Sequence, residues 1–393
     1  MHSECKFASD CPDVAVSGDN PPMQSSAATI RVPAFDRVVG AVAAHWPGAM
    51  RRLGNLESRV LGREIASLRI ERPVYVCGLA RAGSTLLLEA LAGAPGFTAH
   101  RYSDYPLLWT PYWWNWLRER VPLPAQVPAE RAHRDRLAVT ANSPEAFEEV
   151  LWMHFFPGRH DPATNQVLDA SSTNAAFDAF YAAHIRKLLA VRKARRYVAK
   201  GNYNLTRIGY LRRLFPDARF VIAVREPAAH IASLVKQDRL FTDLANANKA
   251  VAAHLSRTGH FEFGPHKRAL HVGDGAQVAA IQACFDSGRV VEGYARQWVA
   301  VYGWLVEHLN ADPELAAACR LVGYERLCAA PEAGLAALYA HAGIDPGDAV
   351  ALIRQWAPRI AAPHYYAPDF SPADNALIAK ITAPVWRKLR DMV

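Results

Sequence analysis

Hydrophobic and polar positions along the chain form two kinds of pattern. Short apolar runs rich in β-branched residues occupy 74–77 and 220–224, as is typical of strands buried in a parallel sheet. Longer segments with apolar residues at helical spacing include about 35–70 and 290–309. Ser143, followed by Pro and Glu, predicts another helix start. Strands that alternate with helices predict an α/β fold with a central parallel sheet.

The stretch 73–91 combines a strand, a glycine-bounded loop and a helix. Its sequence is Pro-Val-Tyr-Val-Cys-Gly-Leu-Ala-Arg-Ala-Gly-Ser-Thr-Leu-Leu-Leu-Glu-Ala-Leu. Gly78, Gly83 and Thr85 have the spacing of a phosphate-binding loop, and the N–H groups of a helix start favour an anion. An NTPase would carry Lys at the position of Ser84, so this loop is poorly suited to a triphosphate with magnesium.

A second stretch, 195–233, also contains predicted strands that end at polar residues. One predicted strand ends in Lys200, and the apolar run Phe-Val-Ile-Ala-Val ends one residue before Arg225. Ser233 follows eight residues later, about two turns into the next predicted helix. The carboxyl ends of parallel strands are where open α/β sheets bind ligands, so both stretches point to one edge.

The loop resembles the 5′-phosphosulfate loop of sulfotransferases that use 3′-phosphoadenosine-5′-phosphosulfate (PAPS). The usual form in that family is Pro-Arg-Ser-Gly-Thr-Thr, from which this chain departs at Ala80, Ala82 and Ser84, with a hydroxyl kept at the last. The resemblance implies that the loop binds the sulfuryl donor. It also implies a central parallel sheet in the three-layer architecture of P-loop NTPases, with helical insertions. The implied cofactor-binding residues are Arg81, Ala82, Gly83, Ser84 and Thr85.

The second stretch is similar to the 3′-phosphate site of the same enzymes. The resemblance implies that Arg225 holds this phosphate through two hydrogen bonds while the Ser233 hydroxyl takes a third oxygen. Lys200 resembles the lysine that some members place near the transferring sulfuryl group. Tyr324, in the pattern Tyr-Glu-x-Leu-x-x-x-Pro, resembles the tyrosine that lies near the adenine in this family.

The proton acceptor is expected on the segment that follows the loop's helix. Residues 97–106 should return as a strand and end over the carboxyl edge of the sheet. In several sulfotransferase families the general base lies on this return segment, which makes Asp104 the first candidate and His100 the second. The alternatives are a turn carboxylate that caps a backbone amide and a histidine with a structural role.

Four tryptophans and a tyrosine lie between residues 109 and 116. Such a segment suits an acceptor platform or lid, because tryptophan faces stack on sugar rings and flat apolar molecules, and it also suits contact with a membrane surface. A buried hydrophobic helix is the equal alternative. No apolar run reaches the 18 residues of a membrane span.

Composition and charge narrow the classes of function. The net charge of the 393-residue chain is +8, but the basic residues are dispersed among acids, which disfavours nucleic-acid binding. The six cysteines lack metal-ligand spacing and indicate free thiols and a cytoplasmic location. We expect a disordered tail and then one domain, divided as follows: tail 1–30, domain 31–393, cofactor core 72–345, acceptor-shaping insertions about 101–190 and 236–292, and C-terminal helical extension 346–393.

The sequence therefore predicts an enzyme that moves a sulfuryl group from PAPS to a hydroxyl or amine. The expected acceptor is a small molecule, a glycan or a lipid-linked substrate, and no metal is required. A P-loop kinase or other nucleotide phosphotransferase is one alternative. The other is a non-catalytic protein that binds anions or nucleic acid.

Overall fold

The computed structural model describes residues 34–121, 129–130, 138–362 and 368–393. The predicted tail, 1–30, lies outside the described residues. The division into a cofactor core, two insertions and an extension stays a prediction.

A parallel sheet of five strands forms the centre of the described chain. In their order across the sheet the strands are β2 (Phe97–Thr98), β5 (Arg196–Lys200), β1 (Val74–Cys77), β6 (Arg219–Val224) and β7 (Cys319–Gly323). A separate antiparallel pair consists of β3 (Ala129–Glu130) and β4 (Ala138–Val139). The predicted α/β class with a central parallel sheet is confirmed.

Helices lie before, between and after the strands. Those of the first half are α1 (Ala34–His45), α2 (Pro47–Val60), α3 (Gly62–Ala66), α4 (Ser84–Ala92), α5 (Pro111–Arg118), α6 (Glu149–Phe155) and α7 (Ala175–Val191). Those of the second half are α8 (Ile208–Leu214), α9 (Pro227–Ala247), α10 (Lys249–Thr258), α11 (Gly275–Asp286), α12 (Val290–Ala311), α13 (Pro313–Ala318), α14 (Tyr324–Ala329), α15 (Pro331–Ala342), α16 (Pro346–Trp356) and α17 (Pro372–Leu389). Short 3₁₀ turns cover Tyr102–Asp104, Asn202–Arg207 and Ala357–Arg359.

Side chains of β1 alternate between two hydrophobic layers, because successive residues of a strand point to opposite faces. Tyr75 and Cys77 pack with residues of α7, α9 and α12 on one face. Val74 and Val76 pack with residues of α4, α15 and α16 on the other. All four are fully buried, which explains the uninterrupted apolar run in the sequence.

The predicted helix start at Ser143 is wrong. Helix α6 begins at Glu149, and the preceding residues are extended along the segment after β2. The backbone of Glu145 donates to His100 O at 2.9 Å, and Ser143 O accepts from the amide of Tyr102 at 3.1 Å. This pairing with the return segment outweighs the local helix-start signal, and it brings residue 145 to the edge of the sheet.

Candidate active site

The loop after β1 has a backbone built for an anion. Gly78 and Gly83 have φ of 136° and 95°, and Arg81 between them also lies in the left-handed region, with φ of 73°. A side chain at Gly78 would place its Cβ 2.5 Å from Ala223 O, so only glycine fits against β6 there. Helix α4 then starts at Ser84, which directs its first N–H groups towards the loop.

The two halves of the predicted cofactor signature meet at this loop. The Arg81 guanidinium donates to Ser233 Oγ, with Nε and Oγ 3.4 Å apart. Arg225 Nη1 donates to the backbone oxygen of Arg81, also at 3.4 Å. Strands β1 and β6 are neighbours in the sheet, so the loop after one lies beside the arginine that follows the other. Two guanidinium groups and a hydroxyl thus lie beside one glycine-bounded loop.

Tyr324 lies against the same loop. A Cβ at Gly83 would be 2.7 Å from Cδ2 of the Tyr324 ring, so the aromatic ring covers this glycine. The Arg225 guanidinium lies 5.0 Å from the centre of the ring, within cation–π range, and its Nε is 3.7 Å from Glu325 Oε1. The predicted adenine-side residue and the predicted 3′-phosphate residue are therefore in contact.

A neutral histidine donates a hydrogen bond to the backbone of the loop. His230 of α9 is fully buried, and its Nε2 lies 2.8 Å from Ala80 O, which it can only contact as a donor. Burial lowers the pKa of His230 to about 3. Ala82 of the loop is also buried. Its side chain packs in the core, so that only its backbone can contribute to the site.

Lys200 connects the loop to further charged side chains, which we call the charged wall. At the end of β5, its Nζ donates to Thr85 Oγ1 at 3.0 Å and lies 3.3 Å from Glu145 Oε1. Only 9% of the lysine side chain and 14% of the glutamate side chain are exposed. A shielded amine, a loop hydroxyl and a carboxylate therefore surround one point beside the helix start.

Three further polar residues that the sequence analysis did not single out extend this wall. His260 Nδ1 lies 3.6 Å from Glu262 Oε2, and Asn202 Nδ2 donates to Glu262 Oε1 at 2.6 Å. Burial would lower the pKa of His260, but the carboxylates of Glu262 and Glu145 raise it above its ordinary value. The position of Asn202, two residues after Lys200, is the one signal that could have pointed to this wall.

Asp104 and His100 lie deeper, in a closed network. Asp104 Oδ2 accepts from His100 Nδ1 at 2.9 Å, and Oδ1 accepts from Arg192 at 2.5 Å and Asn115 at 3.0 Å. The other ring nitrogen of His100 lies 2.9 Å from His184 Nε2. Burial raises the pKa of Asp104, but hydrogen bonding to His100 and the charge of Arg192 outweigh it and hold this pKa well below its usual range. The side chain of Asp104 is 1% exposed.

The tryptophan segment is divided between the two predicted environments. Trp109 is buried between His154 and Phe180. Trp114 is half-buried and donates from Nε1 to Ser103 O at 2.6 Å. Trp116 is 45% exposed. The segment therefore contributes both to the core and to the surface.

The chain is similar to a known protein family. Residues 73–264 match the model of the sulfotransferase family. The sulfotransferase resemblance is confirmed. The matched region contains the glycine-bounded loop at 78–85, Lys200, Arg225 and Ser233, whereas Tyr324 lies beyond it.

A solved sulfotransferase shares the fold at low sequence identity. The crystal structure of sulfotransferase STF9 from Mycobacterium avium aligns with a TM-score of 0.52 and 14% identity, over 90% of this chain and 86% of that chain. Sulfotransferase STF1 from Mycobacterium tuberculosis H37Rv gives a TM-score of 0.41 and 15% identity over 90% and 93%. A search of curated proteins finds no match.

The described residues contain neither a metal-binding cluster nor a membrane-spanning helix. Among the described ranges, no group of three or more His, Cys, Asp and Glu side chains is arranged to hold a metal ion. Within the same part of the chain, no helix combines the length and apolarity that crossing a membrane requires.

Proposed function

We propose that this protein is a PAPS-dependent sulfotransferase, which transfers the sulfuryl group to an acceptor hydroxyl or amine and releases 3′,5′-adenosine bisphosphate. The observation that carries the proposal is the meeting of Arg225 and Ser233 with the loop at Arg81. A second phosphate site beside a phosphate-binding loop suits a nucleotide that carries both a 5′ and a 3′ group. The guanidinium and hydroxyl would hold the 3′-phosphate.

The loop and Lys200 supply the charge stabilisation of the transfer. The N–H groups at the start of α4 and the Thr85 hydroxyl would contact the 5′-phosphosulfate, with Arg81, Ala82, Gly83 and Ser84 forming the cradle. Tyr324 would face the adenine side. The Lys200 amine, 3.0 Å from Thr85 Oγ1, is placed to stabilise the bridging oxygen as the sulfur–oxygen bond breaks.

The acceptor's proton goes to Glu145 in this mechanism. As the acceptor oxygen forms its bond to sulfur, its proton passes to the Glu145 carboxylate, and the leaving phosphate takes the electron pair of the broken bond. Asp104 and His100, the candidates from the sequence, are almost fully buried and already bonded to other side chains. We therefore assign them a positioning role behind the segment that carries Glu145.

The acceptor would bind beside the charged wall, where Lys200 and Glu145 meet. The predicted acceptor-shaping insertion 236–292 would contribute His260 and Glu262. We propose a small-molecule, glycan or lipid-linked acceptor and a cytoplasmic enzyme. No metal is part of the proposal, since the charge of the leaving group is matched by Lys200 and the loop.

Thermal stability with ligands tests the cofactor assignment. We expect 3′,5′-adenosine bisphosphate to raise the melting temperature more than AMP or ATP with magnesium, because selective binding to the folded state stabilises it by mass action. A ligand at 100 times its Kd stabilises by about 2.7 kcal/mol. The rise should disappear in Arg225→Ala and persist in Arg354→Ala, an exposed arginine on α16. An equal response to ATP with magnesium would favour the kinase alternative instead.

A further inference from the structure

Helix α1 exposes an unusual row of large apolar side chains. The spacing i, i+3, i+7 and i+11 places them on one stripe of the helix and its C-terminal cap. They are Phe35 at 50% exposure, Val38 at 57%, Val42 at 41% and Trp46 at 58%. The helix is buried through different residues, Gly40 and Ala43. From Val38 to Trp46 the exposed stripe is therefore not the face that attaches α1 to the domain.

Helix α2 repeats the pattern and adds arginines along its edge. Its exposed apolar side chains are Leu53 at 38%, Leu56 at 48% and Val60 at 65%. Exposed arginines occur at spacing i, i+7 and i+11, which places them on a parallel row beside this stripe. They are Arg52, Arg59 and Arg63, the last being on α3.

Helix α5 contacts both α1 and α2 and exposes apolar side chains of its own. The rings of Phe35 and Trp114 lie 6.0 Å apart, and the amide of Trp113 donates to Glu57 Oε1 at 2.6 Å, so α5 is joined to both α1 and α2. Its exposed apolar residues, with that of the following turn, are Trp116 at 45%, Leu117 at 48% and Val121 at 48%. We call α1, α2, α3 and α5 with these side chains the N-terminal surface.

The charge of the N-terminal surface indicates what it contacts. From α1 to α3 the exposed charged side chains are Arg37, Arg52, Arg59 and Arg63 against the single acid Glu64. Apolar side chains with tryptophans, beside an excess of arginine, are the composition of helices that lie in the headgroup region of anionic membranes. A second copy of the chain is a poorer partner, because a two-fold interface would bring like-charged arginines together.

We propose that the N-terminal surface docks the protein onto an anionic lipid bilayer. The apolar stripes enter the boundary between headgroups and acyl chains, and the arginines contact lipid phosphates. Helix α1 lies against the segment after β2, because a Cβ at Gly40 would collide with the hydroxyl of Tyr105, the residue after Asp104. If the proposed function holds, docking would bring the acceptor side near membrane-borne substrates. The docking itself does not depend on that function.

Vesicle sedimentation with the full chain tests the proposal without any cofactor. We expect the protein to sediment with phosphatidylcholine vesicles that contain phosphatidylglycerol, and to stay in solution with phosphatidylcholine alone. Raising the salt concentration should weaken the binding, because exposed charges are screened. No sedimentation with the anionic vesicles would overturn the proposal.

Two sets of variants separate the apolar and the charged contributions. Each set of variants should reduce the partition coefficient at least about tenfold. In R52Q/R59Q/R63Q the reason is the lost charge, since each basic residue near the surface contributes about 1 kcal/mol, which is roughly fivefold. In V38S/V42S/W46S the reason is the loss of the apolar side chains that enter the bilayer. Matched controls elsewhere on the surface are V350S and R354Q/R387Q/R390Q, which should bind like the unmodified protein.

Two results from these variants would reject the bilayer as the occupant. One is vesicle binding that is unchanged in both N-terminal sets. The other is a dimer of the unmodified protein, measured by light scattering, that V38S/V42S/W46S converts to a monomer, which would assign the surface to a second copy. Equal melting temperatures of the variants and the unmodified protein exclude a folding defect.

Discussion

The guanidinium of Arg81 and the hydroxyl of Ser233 lie 3.4 Å apart, although 152 positions separate them in the chain. One belongs to the loop after β1 and the other to the second turn of α9. The pairing places a loop cation next to the hydroxyl that the proposal assigns to the 3′-phosphate. If the proposed cofactor binds, this contact joins the sites for its 5′ and 3′ groups.

Ser233→Ala should weaken binding of 3′,5′-adenosine bisphosphate by about tenfold or more, because a hydrogen bond to a charged group contributes about 1.5–3 kcal/mol. Affinity for AMP, which lacks the 3′-phosphate, should change little. Isothermal titration calorimetry measures both affinities. Ser287→Ala, at an exposed serine on the C-terminal end of α11, is the matched control. Equal losses for the two nucleotides would contradict a 3′-phosphate role.

Gly83→Ala should lower both stability and cofactor affinity. The residue has φ of 95°, and the added Cβ would lie 2.7 Å from the Tyr324 ring. Gly158→Ala is the control, because its φ of 79° is also left-handed but no atom lies within 4 Å of the added Cβ. The control should cost about 1–2 kcal/mol of unfolding free energy, and Gly83→Ala clearly more. Urea denaturation measures the free energy of unfolding of both variants. Equal losses would show that the Tyr324 ring moves aside at no energetic cost.

Glu145→Gln should lower kcat by about 10²–10⁴ while leaving the affinity for 3′,5′-adenosine bisphosphate nearly unchanged. The amide keeps the shape of the side chain but cannot take the acceptor's proton. Full activity in Glu145→Gln would sink the assignment.

Asp104→Asn should mainly lower the free energy of unfolding. It leaves the Arg192 guanidinium, 4% exposed, without its buried carboxylate, at a cost of about 3–5 kcal/mol. The folded-state pKa of Asp104 lies below the unfolded value of about 3.9, so its stabilisation is present above that pH and is lost as the pH falls below it.

Urea titrations at neutral pH and near pH 3 should therefore show a smaller difference in unfolding free energy for Asp104→Asn than for the unmodified protein. If instead the variant keeps its stability and loses its pH-dependent activity, Asp104 is the base that the sequence suggested. Arg192→Lys, which keeps the charge, serves as the companion variant.

Much of the fold and half of the site could be predicted from the sequence. The loop at 78–85 and the strand before Arg225 carry their own signals, because buried parallel strands are continuous apolar runs and glycines mark the left-handed turns. The charged wall beside Lys200 could not be predicted in the same way. Glu145 reaches it only because residues 143–145 pair with the backbone of 100–102, a long-range contact that overrides a good local helix-start pattern.

The burial of Asp104 was equally invisible in the sequence. Its partners Arg192 and Asn115 lie 88 and 11 positions away, and nothing in the spacing of a lone aspartate before Tyr-Pro predicts them. Sequence signals identified the part of the site built by local turns. The part built by tertiary packing became apparent only in the structure.

The glycine-bounded loop and Arg225 follow β1 and β6, and Lys200 ends β5, so all three lie at the inner strands of the sheet. Inner strands exchange their amide hydrogens only through the largest unfolding events, since both neighbours must separate. Partial opening of the chain's periphery therefore leaves the candidate site intact. Ligand occupancy should slow amide exchange across these three strands together, as one cooperative unit.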